Sequence, residues 1–190
     1  MRPTAEPQIV LLFGRPGVGK LTVGSALSDA TGFPLLHNHA VVDLVESLFP
    51  FGSPPFIAMR ERLWLEAIDA VLADGLAGLI LTFAPERTVT DEFLPALLTH
   101  TSDGGGSLRL VELRCTEAAL ERRLTDPSRQ RFGKMRDVAQ YHRLEAAGVF
   151  ARPVMPAAEL TLDTDELEPE EAARRIATYL RTAPKLYSRK

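Results

Sequence analysis

The chain reads as an α/β protein built on a five-stranded parallel sheet with helices on both faces. Five short apolar runs, 8–13, 34–37, 78–83, 108–113 and 159–162, alternate with stretches whose apolar residues recur at helical spacing. Two of these runs, QIVLLF and GLILTF, are almost wholly apolar, as expected of strands covered on both faces. At 190 residues the chain suits one well-cored domain and is short for two. Residues 1–190 are therefore read as a single domain with its core at about 8–181.

The first strand, 8–13, lies between Pro7 and Gly14 and is rich in branched residues. A helix over 21–31 follows and stops at Gly32. A short strand at 34–37 leads into a helix over 40–49, which Pro50 and Gly52 end. The long helix expected at 56–73 carries Met59, Leu63, Trp64, Ala67, Ile68, Val71 and Leu72 on one broad face. Phe56, Met59 and Trp64 read as core or pocket wall. After Asp74-Gly75 come the strand 78–83, a helix near 90–98, the loop SDGGGS and the strand 108–113. A helix at 117–124, an Arg-rich loop, a helix near 136–147, the strand 159–162 and a helix at 169–181 complete the alternation. Parallel strands joined in this way need right-handed crossovers.

Composition narrows the function. Lys plus Arg number 22 against 25 Asp plus Glu, a formal net charge of −3, without the basic footprint of nucleic-acid binding. A single cysteine, Cys115, excludes an intramolecular disulfide. The start MRPTAEPQ resembles neither a signal nor a transit peptide, and no apolar run approaches the ~20 residues that span a bilayer. A cytoplasmic protein acting on neither membrane nor nucleic acid, monomeric or homodimeric, is expected.

The most specific motif is Gly14-Arg15-Pro16-Gly17-Val18-Gly19-Lys20, which fits G-x-x-x-x-G-K at a strand-to-helix junction. Glycines let backbone amides turn inward around phosphate oxygens, the helix adds its positive end, and the lysine supplies charge for the outer phosphates. Gly14, Pro16, Gly17, Val18, Gly19, Lys20, Leu21 and Thr22 are the nucleotide-binding candidates, with ATP and Mg2+ expected. Leu21 departs from the pattern: the usual Ser or Thr coordinates magnesium, and leucine cannot. The ion would then be held through water by Asp43 or Glu86, or be less needed, or the chain would bind nucleotide without efficient turnover.

With this loop first in the chain and βα units after it, the sequence resembles the shikimate kinase and nucleoside monophosphate kinase group of P-loop kinases. Within that group it is similar to shikimate-kinase-like, "AAA-type ATPase" proteins with a GKLT loop followed by an HNH string. The resemblance implies a P-loop NTPase three-layer sandwich with strand order 2-3-1-4-5, an ATP donor, acceptor-side helices at about 40–74 and an Arg-bearing lid. The lid falls on 125–136, where Arg129 and Arg131, with Lys134 and Arg136, would close over the migrating phosphoryl group. Arg122 or Arg123 would stack on adenine, with Arg123 the residue chosen; Thr164 and Asp165 would border the base or cap the last helix.

Where shikimate kinase-like enzymes carry an acceptor-binding Asp, this chain has His37-Asn38-His39. Two apart in an extended segment, the histidines would point the same way, and either could act as base. The candidates for orienting the acceptor are His39 and Asp43, with His37, Asn38, Arg60, Thr82 and Glu86 as substrate-binding residues. Arg60 would hold an anionic acceptor, or else form a surface pair with Glu61 or Glu66. Thr82 stands where monophosphate kinases show a carboxylate. A bare HNH tripeptide lacks the context of the nuclease motif. The expected function is an ATP-dependent phosphotransferase acting on a metabolite, nucleotide or antibiotic. The alternative is a nucleotide-binding module with slow or absent turnover.

Overall fold

The computed structural model describes residues 6–126, 137–151 and 153–183. Five strands, β1 (Gln8–Phe13), β2 (Leu35–Leu36), β3 (Gly78–Phe83), β4 (Ser107–Arg114) and β5 (Leu160–Asp163), form one parallel sheet in the order β2-β3-β1-β4-β5. This is the expected strand order. Around the sheet lie α1 (Lys20–Thr31), α2 (Asn38–Glu46), α3 (Pro54–Ala73), α4 (Phe93–Asp103), α5 (Glu117–Leu124), α6 (Val138–Ala146) and α7 (Pro169–Thr182).

Strand alternation divides the apolar side chains of β1 between two cores. Ile9, Leu11 and Phe13 join Leu79, Leu81 and Phe83 against α3 and α4. Val10 and Leu12 join Ile80, Val111 and Leu113 against α1 and α7. Both faces of β1 and β3 are thereby dry, which explains why neither strand shows a polar alternation. Burial of each such side chain contributes roughly 1.5–3 kcal/mol. A third, smaller cluster of Leu120, Leu124 and Tyr141 joins α5 to α6.

The element boundaries moved in instructive ways. The strand expected at 34–37 is only Leu35–Leu36, because His37 already has the extended backbone of a helix N-cap and Asn38 opens α2. α2 therefore starts before residue 40, and it ends at Glu46. Pro54 and Pro55 stand in the first turn of α3, where a missing N–H costs nothing, so that helix begins earlier than Phe56. α4 begins at Phe93 and continues through Ser102 and Asp103 into the stretch expected as loop. β1 runs into α1 and lies between β3 and β4, where the strand order reverses, leaving a crevice at its carboxyl end.

Candidate active site

That crevice is a cleft of about 1200 Å³, lined from the phosphate loop, β2–α2, the end of β3, α6 and the β5–α7 turn. Its floor is the Pro16–Lys20 part of the loop that begins at Gly14. Gly14, Gly17 and Gly19 all have positive φ, +151°, +95° and +95°. At Gly14 the requirement is steric as well: a Cβ would stand 2.4 Å from the Leu113 carbonyl oxygen of β4. Gly17 lies against α5, with Leu120 as its nearest neighbour, and Gly19 caps α1 in the left-handed conformation. The loop is thus pressed onto β4 and α5 while the amino end of α1 faces the cleft. This cradle fits phosphate. The Lys20 ammonium donates to the carbonyl oxygens of Gly14 (2.6 Å) and Arg15 (2.8 Å), within reach of the same cradle.

One wall is set by Thr164. Its backbone N–H donates to Arg114 O at 2.9 Å, and its hydroxyl lies 3.1 Å from Val18 O, tying the β5–α7 turn to the phosphate loop. Arg123 donates to that hydroxyl at 2.8 Å and to Thr164 O at 2.7 Å. Arg123 is therefore the inward-facing arginine of the Arg122–Arg123 pair. Asp165 lies 3.5 Å from Arg123 and accepts the Thr116 N–H at 2.7 Å, a hydrogen bond that lowers its pKa. Both Thr164 and Asp165 line the cleft.

On the opposite wall the buried Thr82 hydroxyl accepts the Asn38 N–H at 3.0 Å and lies 3.2 Å from His37 Nδ1. It thereby anchors the start of α2 to β3. Because His37 caps α2 and His39 lies in its first turn, the two rings are not parallel projections of one strand. They meet edge to face, with centroids 5.2 Å apart. Asp43, one turn on, is exposed at the cleft and has no side-chain hydrogen bond or ion pair among the described residues.

Arg60 is 1 % exposed and takes part in no surface pair with Glu61 or Glu66. The surface pair of α3 is instead Arg62 with Glu66, and Glu61 accepts the backbone N–H and hydroxyl of Thr90. Arg60 donates to Glu86 Oε1 (2.8 Å), Thr88 Oγ1 (3.0 Å) and Thr88 O (2.8 Å). Its guanidinium lies over the rings of Phe56 and Trp64 at 5.1 and 4.9 Å. Trp64 in turn packs on Phe83 and Phe93 and is a core residue that also lines the cleft.

The donor set does not fit a magnesium ion bound directly at the loop. Leu21 offers no oxygen, the Thr82 hydroxyl is engaged by α2, and the Glu86 carboxylate is held by Arg60 and Thr88. Thr22, Asp43 and Glu46 are cleft residues whose side-chain oxygens are uncommitted among the described residues. Arg129 and Arg131, like most of the expected lid, lie outside the described residues.

Sequence reading passed over the part played by Arg15. Its guanidinium crosses to α6, where it donates to Glu145 (2.5 Å) and Tyr141 (3.1 Å). Glu46, Phe51 and Arg87 also line the cleft unannounced; Phe51 had only its place in a breaker-rich loop.

Fold and loop together define a P-loop α/β architecture of the kind found in small-molecule kinases. No family model matches the chain. A curated relative, a nucleotide-binding protein of Mannheimia succiniciproducens, is 23 % identical over 93 % of this chain, which spans about half (54 %) of that protein's length. A sugar kinase from Janibacter sp. HTCC2649 superposes with a TM-score of 0.62 at 21 % identity, covering 97 % of this chain and 100 % of that one. The APS kinase of Mycobacterium tuberculosis, in complex with AMPPNP and APS, gives 0.63 at 18 % identity, covering 93 % and 99 %. Among the described residues no helix is long and apolar enough to cross a membrane.

Proposed function

We propose that this chain transfers the γ-phosphoryl group of ATP to a hydroxyl of a small molecule. The observation that carries the reading is that the Pro16–Lys20 part of the loop and the His37–His39–Asp43 wall face one cleft at the carboxyl ends of β1 and β3. The loop amides and Lys20 would hold the outer phosphates, while Arg123, Thr164 and Asp165 would border the base. His39 or Asp43 would orient the acceptor hydroxyl and take its proton. Arg129 and Arg131 are proposed as the closing cations on the sequence alone. Magnesium, if it arrives with the nucleotide, would be held by phosphate oxygens and water and not by the loop.

Charge on the acceptor wall narrows the acceptor. Arg60, expected as an anchor for an anion, is already engaged by Glu86, whereas Asp43, Glu46 and the one cation Arg87 line the cleft with no side-chain pairing among the described residues, leaving two carboxylates against one guanidinium. Phe51, half exposed, adds an apolar surface beside them. A neutral or amine-bearing hydroxyl compound suits this wall better than a carboxylate or phosphate ester.

Acceptor-stimulated ATP turnover, assayed on amino alcohols, amino sugars, neutral sugars and sugar acids, tests the reading. Turnover with one of the first three, lost in Lys20→Ala, supports it. ATP binding with no turnover on any acceptor would favour the second reading, a nucleotide-binding module, for which Leu21 in place of a hydroxyl residue is the specific argument.

A further inference from the structure

The Arg15 side chain belongs to the phosphate loop, yet its hydrogen bonds among the described residues lead to another element. Its Nη1 donates to Glu145 Oε1 at 2.5 Å and to Tyr141 Oη at 3.1 Å, and Tyr141 Oη donates to the same Glu145 oxygen at 3.0 Å. The three groups close a ring of hydrogen bonds. The Tyr141 ring beneath is fully buried, stacked on Phe150 with centroids 5.5 Å apart and packed with Leu120 and Leu124 of α5. The hydroxyl that meets Arg15 is therefore fixed by a core, while the Arg15 and Glu145 side chains that meet it are 54 % and 32 % exposed, so the ring is anchored on its Tyr141 side and open to water on the other.

The other end of Arg15 touches the loop's lysine: its carbonyl oxygen accepts Lys20 Nζ at 2.8 Å. Because residue 16 is proline, the Arg15–Pro16 peptide has no N–H to offer a phosphate, so its one polar group is this carbonyl. The adjoining Gly17 lies against Leu120 and Leu124, the same side chains that seat Tyr141. Side chain, carbonyl and the next glycine thus register the loop against one surface made by α5 and α6.

We propose that Arg15 is a positioning residue for the phosphate loop: through Tyr141 and Glu145 it docks the loop on α6 and sets the carbonyl that holds Lys20, so that α6 tunes nucleotide affinity. The inference rests on the nucleotide-binding reading of the loop. Its ligands are the nucleoside triphosphate and α6 of the same chain, and no direct contact of Arg15 with phosphate is required.

The test is a double-mutant cycle on MgATP affinity by calorimetry, with Lys20→Ala as control and circular dichroism to verify folding. Arg15→Ala and Glu145→Gln should each weaken binding by about two- to fivefold. The double variant should be no weaker than the poorer single, because both remove one linkage. Tyr141→Phe, which keeps the buried ring, should lose part of the same effect, and Arg15→Lys should recover part of it. Where an acceptor is known, KM for ATP should rise with kcat little changed. If Arg15→Ala weakens binding while Glu145→Gln and Tyr141→Phe do not, Arg15 touches the nucleotide directly and the positioning role is wrong. If none of the three changes affinity although Lys20→Ala does, the linkage has no bearing on nucleotide binding. Should Lys20→Ala also bind MgATP normally, it is the nucleotide-site reading itself that fails.

Discussion

Arg60 and Glu86 meet at 2.8 Å beneath the acceptor wall, the guanidinium sandwiched by Phe56 and Trp64 and almost wholly withdrawn from water. Removing one partner of a buried pair strands the other charge, at a cost of about 3–5 kcal/mol. Glu86→Ala is expected to lower urea stability on that scale, and Arg60→Met with Glu86→Ala to lower it less than Glu86→Ala alone. Additive losses in the cycle would mean that the two charges are independently solvated.

Arg123 and Thr164 form the cleft wall beside the phosphate loop, the side proposed for the nucleotide. Thr164→Val removes the hydroxyl that accepts from Arg123 and reaches Val18 O, while keeping the side chain's shape. The expected outcome is an ATP affinity lower by roughly tenfold with melting temperature shifted by only a few degrees. Calorimetry and a thermal melt on the same sample check it; intact affinity would place the base elsewhere.

Leu21 lines the cleft without an oxygen. Leu21→Ser restores the usual ligand, so magnesium should strengthen ATP binding by roughly tenfold more in the variant than in the wild type. An equal magnesium effect in both proteins would show that the ion is held by groups outside the loop.

Away from the cleft, the buried Arg109 of β4 donates to Glu159 at 3.1 Å, and the Tyr179 hydroxyl donates to the same carboxylate. Burial, and then this hydrogen bond, push the Tyr179 pKa up from 10 to about 12. The folded form therefore keeps a proton that the unfolded chain releases. Stability from this group is complete below pH 10 and is lost as pH rises from 10 through about 12. Denaturant melts across that window should fall more steeply for the wild type than for Tyr179→Phe; matching slopes would remove Tyr179 as the cause.

Gly14 has no room for a side chain. In Gly14→Ala the new Cβ would meet the backbone oxygen of Leu113 at 2.4 Å, with φ at +151°. Loss of stability by about 1–3 kcal/mol and loss of ATP binding together are expected, measured by denaturant titration and calorimetry. Unchanged stability would show that the loop can leave β4 freely.

By itself the sequence determined the strand succession, the parallel sheet and the phosphate loop, because those signals are local. Apolar runs such as QIVLLF and GLILTF are legible without neighbours, and G-x-x-x-x-G-K encodes a backbone path through its glycines. The strand order came from resemblance, and the structure agrees with it. Only the tertiary structure decided what the polar residues are engaged with. Arg60 carries no local sign that its partner lies 26 positions away on Glu86, nor Arg123 that it turns to Thr164, nor Arg15 that it reaches 130 positions on to Glu145. A short apolar run such as PLLH looked like a longer strand because the helix N-cap at His37 shares the extended backbone of a strand. The physical reason is common to all of these. Backbone periodicity and glycine conformations are set within a few residues, whereas the charge state and availability of a side chain depend on groups that the fold alone brings together.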